Sequence, residues 1–138
     1  MIDKKLFSQN ISRKASYSVV NSDNIRVKAF FIVNGTTAAV QTMIFTSCKA
    51  GDKIIMPRNV HRSAINALVV CGAIPVYVNP GTNKQLGIPL GMSVKDVEKA
   101  IKENPDAKAV LVNNPTYYGI CSDIKSIVKL AHEHGMLV

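Results

Sequence analysis

The sequence has no tryptophan, only 6% aromatic residues and just three cysteines among its 138 residues. Cys48, Cys71 and Cys121 lie far apart and form no Cys-x-x-Cys pair, which argues against a disulfide framework and against a zinc site. No apolar run approaches the ~20 residues that a membrane-spanning helix needs, and the N-terminus lacks the apolar core of a signal peptide. We therefore expect a cytoplasmic protein with reduced cysteines, no metal and no contact with a membrane.

Acidic residues are also scarce. The chain has 9 of them against 17 lysine and arginine residues, which gives a net charge of +8. Such a charge raises the question of nucleic-acid binding, and the distribution of the charge decides it. The basic residues are dispersed, with no basic stripe that alternates with aromatic residues and no zinc-finger, RNP or Gly-x-x-Gly signature. We interpret them as a solvated surface and expect no nucleic-acid partner.

From residue 29 onward, short β-rich runs alternate with segments of helical periodicity, which is typical of repeated βα units around a parallel sheet. With 47% hydrophobic residues the chain can bury one core, and we expect a partial three-layer α/β/α domain over 29–138. The first 28 residues are polar and irregular and predict an N-terminal arm. The predicted strands are 29–33, 53–56, 74–78, 107–113 and one that begins at Met136; the predicted helices are 36–49, 61–70, one that Ser93 caps, and one with Ile124, Ile127, Val128 and Ala131 on one face.

The segment Asn34-Gly35-Thr36-Thr37 lies between the first predicted strand and the first predicted helix. Gly35 can adopt backbone angles that a side chain would forbid. The hydroxyls of Thr36 and Thr37 join the N–H groups of a helix start, which favour a bound anion. The segment therefore predicts a phosphate site that needs no lysine. The alternative interpretation is that Asn34 or Thr36 simply caps the helix.

Ligands of an open parallel sheet bind outside the carboxyl ends of its strands. Three loops are predicted at that edge, namely 34–37, 57–63 and 113–119. His61 belongs to the second loop, where its imidazole could stack on an aromatic ligand or transfer protons. As a lone histidine at a helix start, His61 could instead be a capping residue. Its neighbourhood favours the functional interpretation.

Two common nucleotide-binding motifs are missing near this edge. The segment at 35–40, Gly-Thr-Thr-Ala-Ala-Val, lacks the Gly-x-Gly-x-x-Gly spacing of dinucleotide-binding folds and the Gly-Lys-Ser/Thr ending of a P-loop. The sequence therefore does not support NAD or ATP as the ligand. A phosphorylated ligand held by a Gly-Thr-Thr helix start, with an imidazole nearby and a Pro-Thr-Tyr-Tyr-Gly turn opposite, suggests pyridoxal phosphate instead.

Five longer motifs follow one another along the chain. They are Phe-Phe-Ile-Val-Asn-Gly-Thr-Thr at 30–37, Gly-Asp-Lys-Ile-Ile-Met-Pro-Arg-Asn-Val-His-Arg-Ser at 51–63, Gly-Ala-Ile-Pro-Val-Tyr at 72–77, Leu-Gly-Ile at 86–88 and Asn-Pro-Thr-Tyr-Tyr-Gly at 114–119. In this order and spacing they resemble the Orn/Lys/Arg decarboxylases, a family of fold-type I pyridoxal-phosphate enzymes. The resemblance extends from about residue 29 to residue 138 and implies the first part of the large domain of that fold.

The resemblance also implies roles for individual residues. Gly35, Thr36 and Thr37 would hold the phosphate of pyridoxal 5'-phosphate. His61 would stack on the pyridine ring and take part in catalysis, and Thr116 would lie near the ring. For the full-length protein the resemblance implies a basic amino acid substrate (arginine, lysine or ornithine), a place in polyamine biosynthesis and a homo-oligomer, dimeric or larger. The sequence does not indicate which of the three amino acids is decarboxylated.

Two residues on which the family's chemistry depends are absent from this sequence. One is the aspartate that pairs with the pyridinium nitrogen, in an Asp-Glu-Ala-His-Gly segment; the other is the lysine that holds the cofactor covalently, in a Ser-x-His-Lys motif. We therefore expect a C-terminally truncated fragment that is inactive on its own. The alternatives are another fold-type I enzyme, such as an aminotransferase or a carbon–sulfur lyase, a non-catalytic remnant, and a basic binding module.

The apolar run Met136-Leu137-Val138 predicts a strand whose carboxyl end reaches the same edge as Thr36 and His61. We expect the DNA downstream of codon 138 to encode an Asp-Glu-Ala-His-like segment within a few codons, and a Ser-x-His-Lys motif further on. The reason is that a carboxylate facing the ring nitrogen keeps that nitrogen protonated. Sequencing of the downstream DNA checks this prediction. A reading frame that ends at Val138, with neither motif nearby, would support the non-catalytic remnant instead.

Overall fold

The structure, a computed structural model, describes residues 32–138. Helices and strands alternate along this range much as the sequence pattern predicts, and strands 53–56 and 74–78 and helices 36–49 and 61–70 all lie within two residues of their predicted bounds. The elements in chain order are α1 (Gly35–Ser47), β1 (Lys53–Pro57), α2 (Arg62–Cys71), β2 (Ile74–Val78), β3 (Thr82–Asn83), β4 (Ile88–Pro89), α3 (Val94–Glu103), β5 (Ala109–Val110) and α4 (Ile124–Glu133).

Strands β2, β1 and β5 form a parallel sheet in that order, with β1 in the middle. All five residues of β1 pair with β2, whereas only Ile54 and Ile55 pair with β5. Leu137 makes a parallel bridge to Ala109 on the other side of β5, where the run 136–138 was predicted to begin a strand. Strands β3 and β4 form a separate antiparallel hairpin. The prediction of a mostly parallel sheet is therefore confirmed.

The side chains of β1 alternate between two buried layers. Ile54 and Met56 pack with residues of α1 and α2, while Ile55 packs with residues of α3 and α4. None of the three side chains is more than 2% exposed. A parallel strand that is covered on both faces carries a continuous apolar run rather than an alternating one, as β1 does. The predicted three-layer α/β/α architecture is confirmed.

The order of the strands places a crevice at the carboxyl edge of the sheet. The chain leaves β1 through α2 to reach β2 on one side, and returns through α3 to reach β5 on the other side of β1. Because such crossovers share one hand, a reversal of direction puts successive helices on opposite faces. The loops that follow the adjacent strands β1 and β5 consequently diverge to opposite faces, and a crevice opens between them.

Polar side chains cap the N-termini of α3 and α4. The hydroxyl of Ser93 accepts a hydrogen bond from the N–H of Asp96 at 3.1 Å and donates one to the carboxylate of Asp96 at 2.6 Å. Asp123 starts α4 by accepting from the N–H of Ser126. Hydrogen bonds from Ser126, first from its hydroxyl and then from its N–H, lower the pKa of the Asp123 carboxyl. The predicted cap at Ser93 is confirmed.

The strand predicted over 107–113 is shorter than expected, since β5 comprises only Ala109–Val110. Backbone hydrogen bonds with β1 begin at Lys108 and end where the N–H of Leu111 donates to Ile55. The next bond of a parallel ladder would come from the N–H of residue 57, and Pro57 has none. The chain beyond Leu111 is therefore released from the sheet and enters the turn at 114–119.

Other expectations have mixed outcomes. The loop 79–92, which connects β2 to α3, contains the β3–β4 hairpin, whose turn is closed by the N–H groups of Gln85 and Leu86 donating to the side chain of Asn83. Ile32 and Val33 form no strand, and the remainder of the predicted strand 29–33 lies outside the described residues, as does the predicted arm over 1–28.

The three cysteines are free, with Cys48 buried and Cys121 exposed. Between residues 32 and 138 there is no helix long and apolar enough to cross a membrane.

Replacement of Ile55 by alanine tests the two-sided burial of β1. The side chain of Ile55 is fully buried, so Ile55→Ala should lower the free energy of unfolding by about 2–5 kcal/mol. Val69 in α2 is 79% exposed, so the matched control Val69→Ala should change it by less than about 0.5 kcal/mol. Urea titration followed by circular dichroism measures both. Equal losses in the two variants would contradict the assignment of β1 as the central strand.

Candidate functional site

The three loops predicted at the carboxyl edge meet in one cavity of about 550 Å³. Its volume is within the range of about 300–1,000 Å³ that is typical of small-molecule sites. All five residues singled out from the sequence line this cavity, although they come from three separate parts of the chain. The lining residues are Asn34, Gly35, Thr36, Thr37, Val40, His61, Ser63, Asn113, Pro115, Thr116 and Tyr117.

The N-terminus of α1 forms one wall. Asn34 and Gly35 both have left-handed backbone angles, with φ of 86° and 72°, which only glycine and, among the other residues, asparagine and aspartate adopt readily. The side chain of Asn34 makes no capping hydrogen bond, so the alternative interpretation of Asn34 as a simple cap is wrong. Helix α1 also has no acidic residue in its first turn. The partial positive charge of the helix start is therefore directed at the cavity without a competing carboxylate from that turn.

His61 forms the second wall and is the N-cap of α2. Its Nδ1 accepts a hydrogen bond from the N–H of Ser63 at 3.2 Å and lies 2.8 Å from the hydroxyl of Ser63. Because a backbone N–H can only donate, Nδ1 is the acceptor, and a neutral ring then carries its proton on Nε2. The capping interpretation of His61 is thus correct, while its role toward a ligand stays a prediction. One nitrogen fixes the ring, and the exposed ring borders the cavity.

The turn after β5 forms the third wall. Thr116 is a buried polar residue with 7% exposure, and its hydroxyl accepts a hydrogen bond from the N–H of Ile120 at 3.2 Å. The N–H of Thr116 donates to the carbonyl of Ile120 at 2.9 Å. Tyr117 is 93% exposed, and its ring meets that of Tyr118 edge-on at 5.3 Å. A hydroxyl and an aromatic ring are therefore presented next to each other at the rim.

Sequence reasoning missed several lining residues. Ser63 is 3% exposed and orients His61, and Tyr117 projects from the turn, yet neither was assigned a role. The signal for Ser63 was present, since a serine two residues into a helix can bond the capping side chain. Val40 could also have been found, because it lies one helical turn after Thr36 and Thr37.

Among residues 32–138, those that line the cavity include no lysine, arginine, aspartate or glutamate. An anion in this part of the site would be stabilised by helix-start N–H groups and hydroxyls rather than by a fixed positive charge. The nearby Arg58 does not line the cavity, and its guanidinium carbon lies 5.3 Å from the ring centroid of Tyr77. These N–H groups and hydroxyls are the kinds of donor that a phosphate group requires.

The helix cap that His61 provides predicts different effects for two substitutions. His61→Ala removes the cap of α2 and should lower the free energy of unfolding by about 0.5–2 kcal/mol. His61→Asn should restore most of that loss, because asparagine is among the best capping residues. Urea unfolding of the two variants and the parent chain measures the difference. If the alanine variant is as stable as the parent chain, the bond between His61 and Ser63 does not stabilise α2.

One known family matches most of the chain. The family described as "Orn/Lys/Arg decarboxylase, major domain" matches residues 11–138 of the chain, so the match begins within the segment predicted as an N-terminal arm. It includes all three loops that line the cavity.

Four relatives carry the name arginine decarboxylase, and two of them illustrate the similarity. The protein of Bacillus subtilis is 50% identical over 109 residues, which cover 79% of this chain and 22% of that protein. The protein of Halalkalibacterium halodurans is 48% identical over 109 residues with the same coverage of both chains. The chain therefore spans about a fifth of the length of the curated relatives that it matches.

Among solved structures, the chain is similar to cystalysin from Treponema denticola, which contains a pyridoxal 5'-phosphate cofactor. The two superpose with a TM-score of 0.61 at 17% sequence identity, over 75% of this chain and 26% of cystalysin. At this identity the likeness establishes the fold, which is that of the large domain of fold-type I pyridoxal-phosphate enzymes. With the match over 11–138, the chain belongs to the Orn/Lys/Arg decarboxylase family and represents a part of its major domain.

Proposed function

We propose that this chain forms the phosphate-binding and ring-binding part of the pyridoxal-phosphate site of a decarboxylase that acts on a basic amino acid. The observation that carries the proposal is the convergence of loops 34–37, 57–63 and 113–119 on one cavity in the crevice between β1 and β5. Membership in the Orn/Lys/Arg decarboxylase family supports the choice of reaction.

The start of α1 would bind the cofactor phosphate. Gly35 allows the backbone to approach closely, and Thr36 and Thr37 bring hydroxyls to the same end of the helix. Because the described lining residues include no lysine, arginine, aspartate or glutamate, the orientation of the phosphate would come from many short dipolar contacts. Such contacts fix a tetrahedral anion more closely than one flexible lysine could, because each donor belongs to the rigid first turn of a helix.

His61 would cover one face of the cofactor ring. Its imidazole is oriented by Ser63, so the ring plane is preset before a ligand enters. Bound pyridoxal phosphate would supply the electron-accepting ring that makes loss of carbon dioxide from the amino acid possible. The contribution of His61 would be to position that ring and to exclude water from one face, while Thr116 would offer a hydroxyl beside it.

Arginine is the substrate that we favour within the class of basic amino acids, since both relatives described above are named arginine decarboxylase. The covalent lysine and the acid opposite the ring nitrogen would come from parts of the protein other than this sequence. A homo-oligomer and a cytoplasmic location remain proposals, the latter consistent with three free cysteines. Release of carbon dioxide from labelled arginine, lysine and ornithine by the intact enzyme tests the choice of substrate.

The phosphate assignment predicts a loss of cofactor affinity in the double variant Thr36→Val, Thr37→Val. Loss of two hydroxyls that bond an anion should raise the dissociation constant for pyridoxal phosphate by at least about tenfold. Thr42→Val serves as the matched control, because Thr42 is an exposed threonine of the same helix outside the cavity. Absorbance titration of the intact enzyme measures the affinity. Unchanged affinity in the double variant would contradict the phosphate assignment.

The ring assignment predicts that His61→Asn loses activity although it keeps the helix cap. Turnover of the intact enzyme should fall by about 10²-fold in both His61→Asn and His61→Ala, because neither side chain can cover the cofactor ring. The stability of the asparagine variant separates this effect from unfolding. Near-normal turnover in His61→Asn would mean that capping is the whole role of His61.

A further inference from the structure

We infer that Ser122 is a positioning residue that fastens the turn at 114–119 to the body of the domain and thereby sets where Thr116 and Tyr117 stand in the cavity. The inference deepens the proposed function and rests on it for the identity of the ligand. Ser122 does not line the cavity, and no motif of the sequence drew attention to it.

Ser122 connects two segments that are distant in sequence. Its N–H donates to the side-chain carbonyl of Asn114 at 2.7 Å, which closes a loop of chain around the turn. Its hydroxyl accepts a hydrogen bond from the N–H of Met92 at 3.0 Å. Its carbonyl accepts from the N–H of Ile124 at 2.9 Å, at the start of α4. One small residue therefore ties the turn to the end of the loop 79–92 and to a helix.

The anchor at Met92 is rigid because the side chain of Met92 is 4% exposed and belongs to the buried layer between the sheet and helices α3 and α4. A fixed N–H at this point gives the hydroxyl of Ser122 a fixed partner. The hydrophobic core, rather than the solvent-exposed surface of the turn, therefore fixes the positions of Ser122 and Asn114.

Gly91 provides the space for this contact. A Cβ atom at position 91 would lie 2.3 Å from the hydroxyl oxygen of Ser122 and 3.4 Å from its Cβ and N atoms. Gly91 does not have a positive φ, unlike Gly87 and Gly119. Glycine is therefore required at position 91 for close approach, not for an unusual backbone angle.

Further hydrogen bonds lie inside the loop of chain that Ser122 closes. The N–H of Thr116 donates to the carbonyl of Ile120, the side-chain hydroxyl of Thr116 accepts from the N–H of Ile120, and the N–H of Gly119 donates to the carbonyl of Thr116 at 2.9 Å. The inner bonds define the shape of the turn, whereas the bonds of Ser122 define its place relative to the sheet. Loss of the bond to Met92, which is the outer bond made by the Ser122 side chain, should let the turn open more often and shift Thr116 relative to His61.

Amide hydrogen exchange of the ligand-free full chain tests this inference independently of activity. In Ser122→Ala the N–H groups of Thr116 and Ile120 should exchange about tenfold faster, because the turn opens more often. Ser126→Ala is the matched control, since Ser126 donates to Asp123 at the start of α4 and contacts neither segment. Unchanged exchange at Thr116 and Ile120 in Ser122→Ala would overturn the inference.

A pair of substitutions at Gly91 sharpens the test. Gly91→Ala should speed exchange in the turn by displacing Ser122, and the double variant with Ser122→Ala should exchange no faster than Ser122→Ala alone, because the clashing oxygen is gone. Losses that simply add would show that the two residues act separately, against the inference. If Ser122→Ala does not fold, Asn114→Ala should speed exchange while Asn114→Asp, which keeps the acceptor oxygen, should not. Equal exchange in these two variants would overturn it.

Cofactor titration distinguishes the two proposals. Ser122→Ala in the intact enzyme should weaken binding of pyridoxal phosphate by about tenfold if the turn contributes to the site. If the parent enzyme does not bind pyridoxal phosphate although the exchange results are as expected, the proposed function fails and the positioning role of Ser122 stands. If the parent binds the cofactor and exchange in Ser122→Ala is unchanged, only the positioning role fails.

Discussion

The parallel pairing of β1 with a neighbour on each side is the constraint on which the rest of the structure depends. It buries Ile54 and Met56 against one pair of helices and Ile55 against the other, and it aligns the carboxyl ends of the strands at one edge. Because the chain leaves β1 in one direction and returns in the other, the following loops diverge and open the crevice that becomes the cavity. The hydrophobic core thus fixes the location of the site before any polar residue contributes.

The chemistry of the site follows from which backbone and side-chain groups reach that edge. A helix start, hydroxyls and an imidazole ring are suited to a phosphorylated aromatic ligand, and the lining residues that the structure describes include no lysine, arginine, aspartate or glutamate. His61 shows how one residue serves both the fold and the site, since Nδ1 caps α2 while the ring borders the cavity. The cap does not interfere with stacking, because the cap uses Nδ1 in the plane of the ring, whereas stacking uses the faces of the ring.

Much of the fold was predictable because its signals are local. The apolar run Ile54-Ile55-Met56, the helical period of α4 and the cap at Ser93 each report the structure of their own segment. The length of β5 was not predictable, because it depends on whether the partner strand can donate from residue 57. The role of Ser122 was hidden for the same reason, since its partners lie eight and thirty residues away.

The sequence by itself determined the class of fold and the family, and it singled out three loops and five residues as candidates for a site, because strand order rules and ordered motifs carry that information. Only the tertiary structure decided that those five residues share one cavity, that Asn34 does not cap α1, and that Ser63 orients His61. The physical reason is that motifs specify which groups are available, whereas distances between loops depend on how two buried layers pack on one sheet.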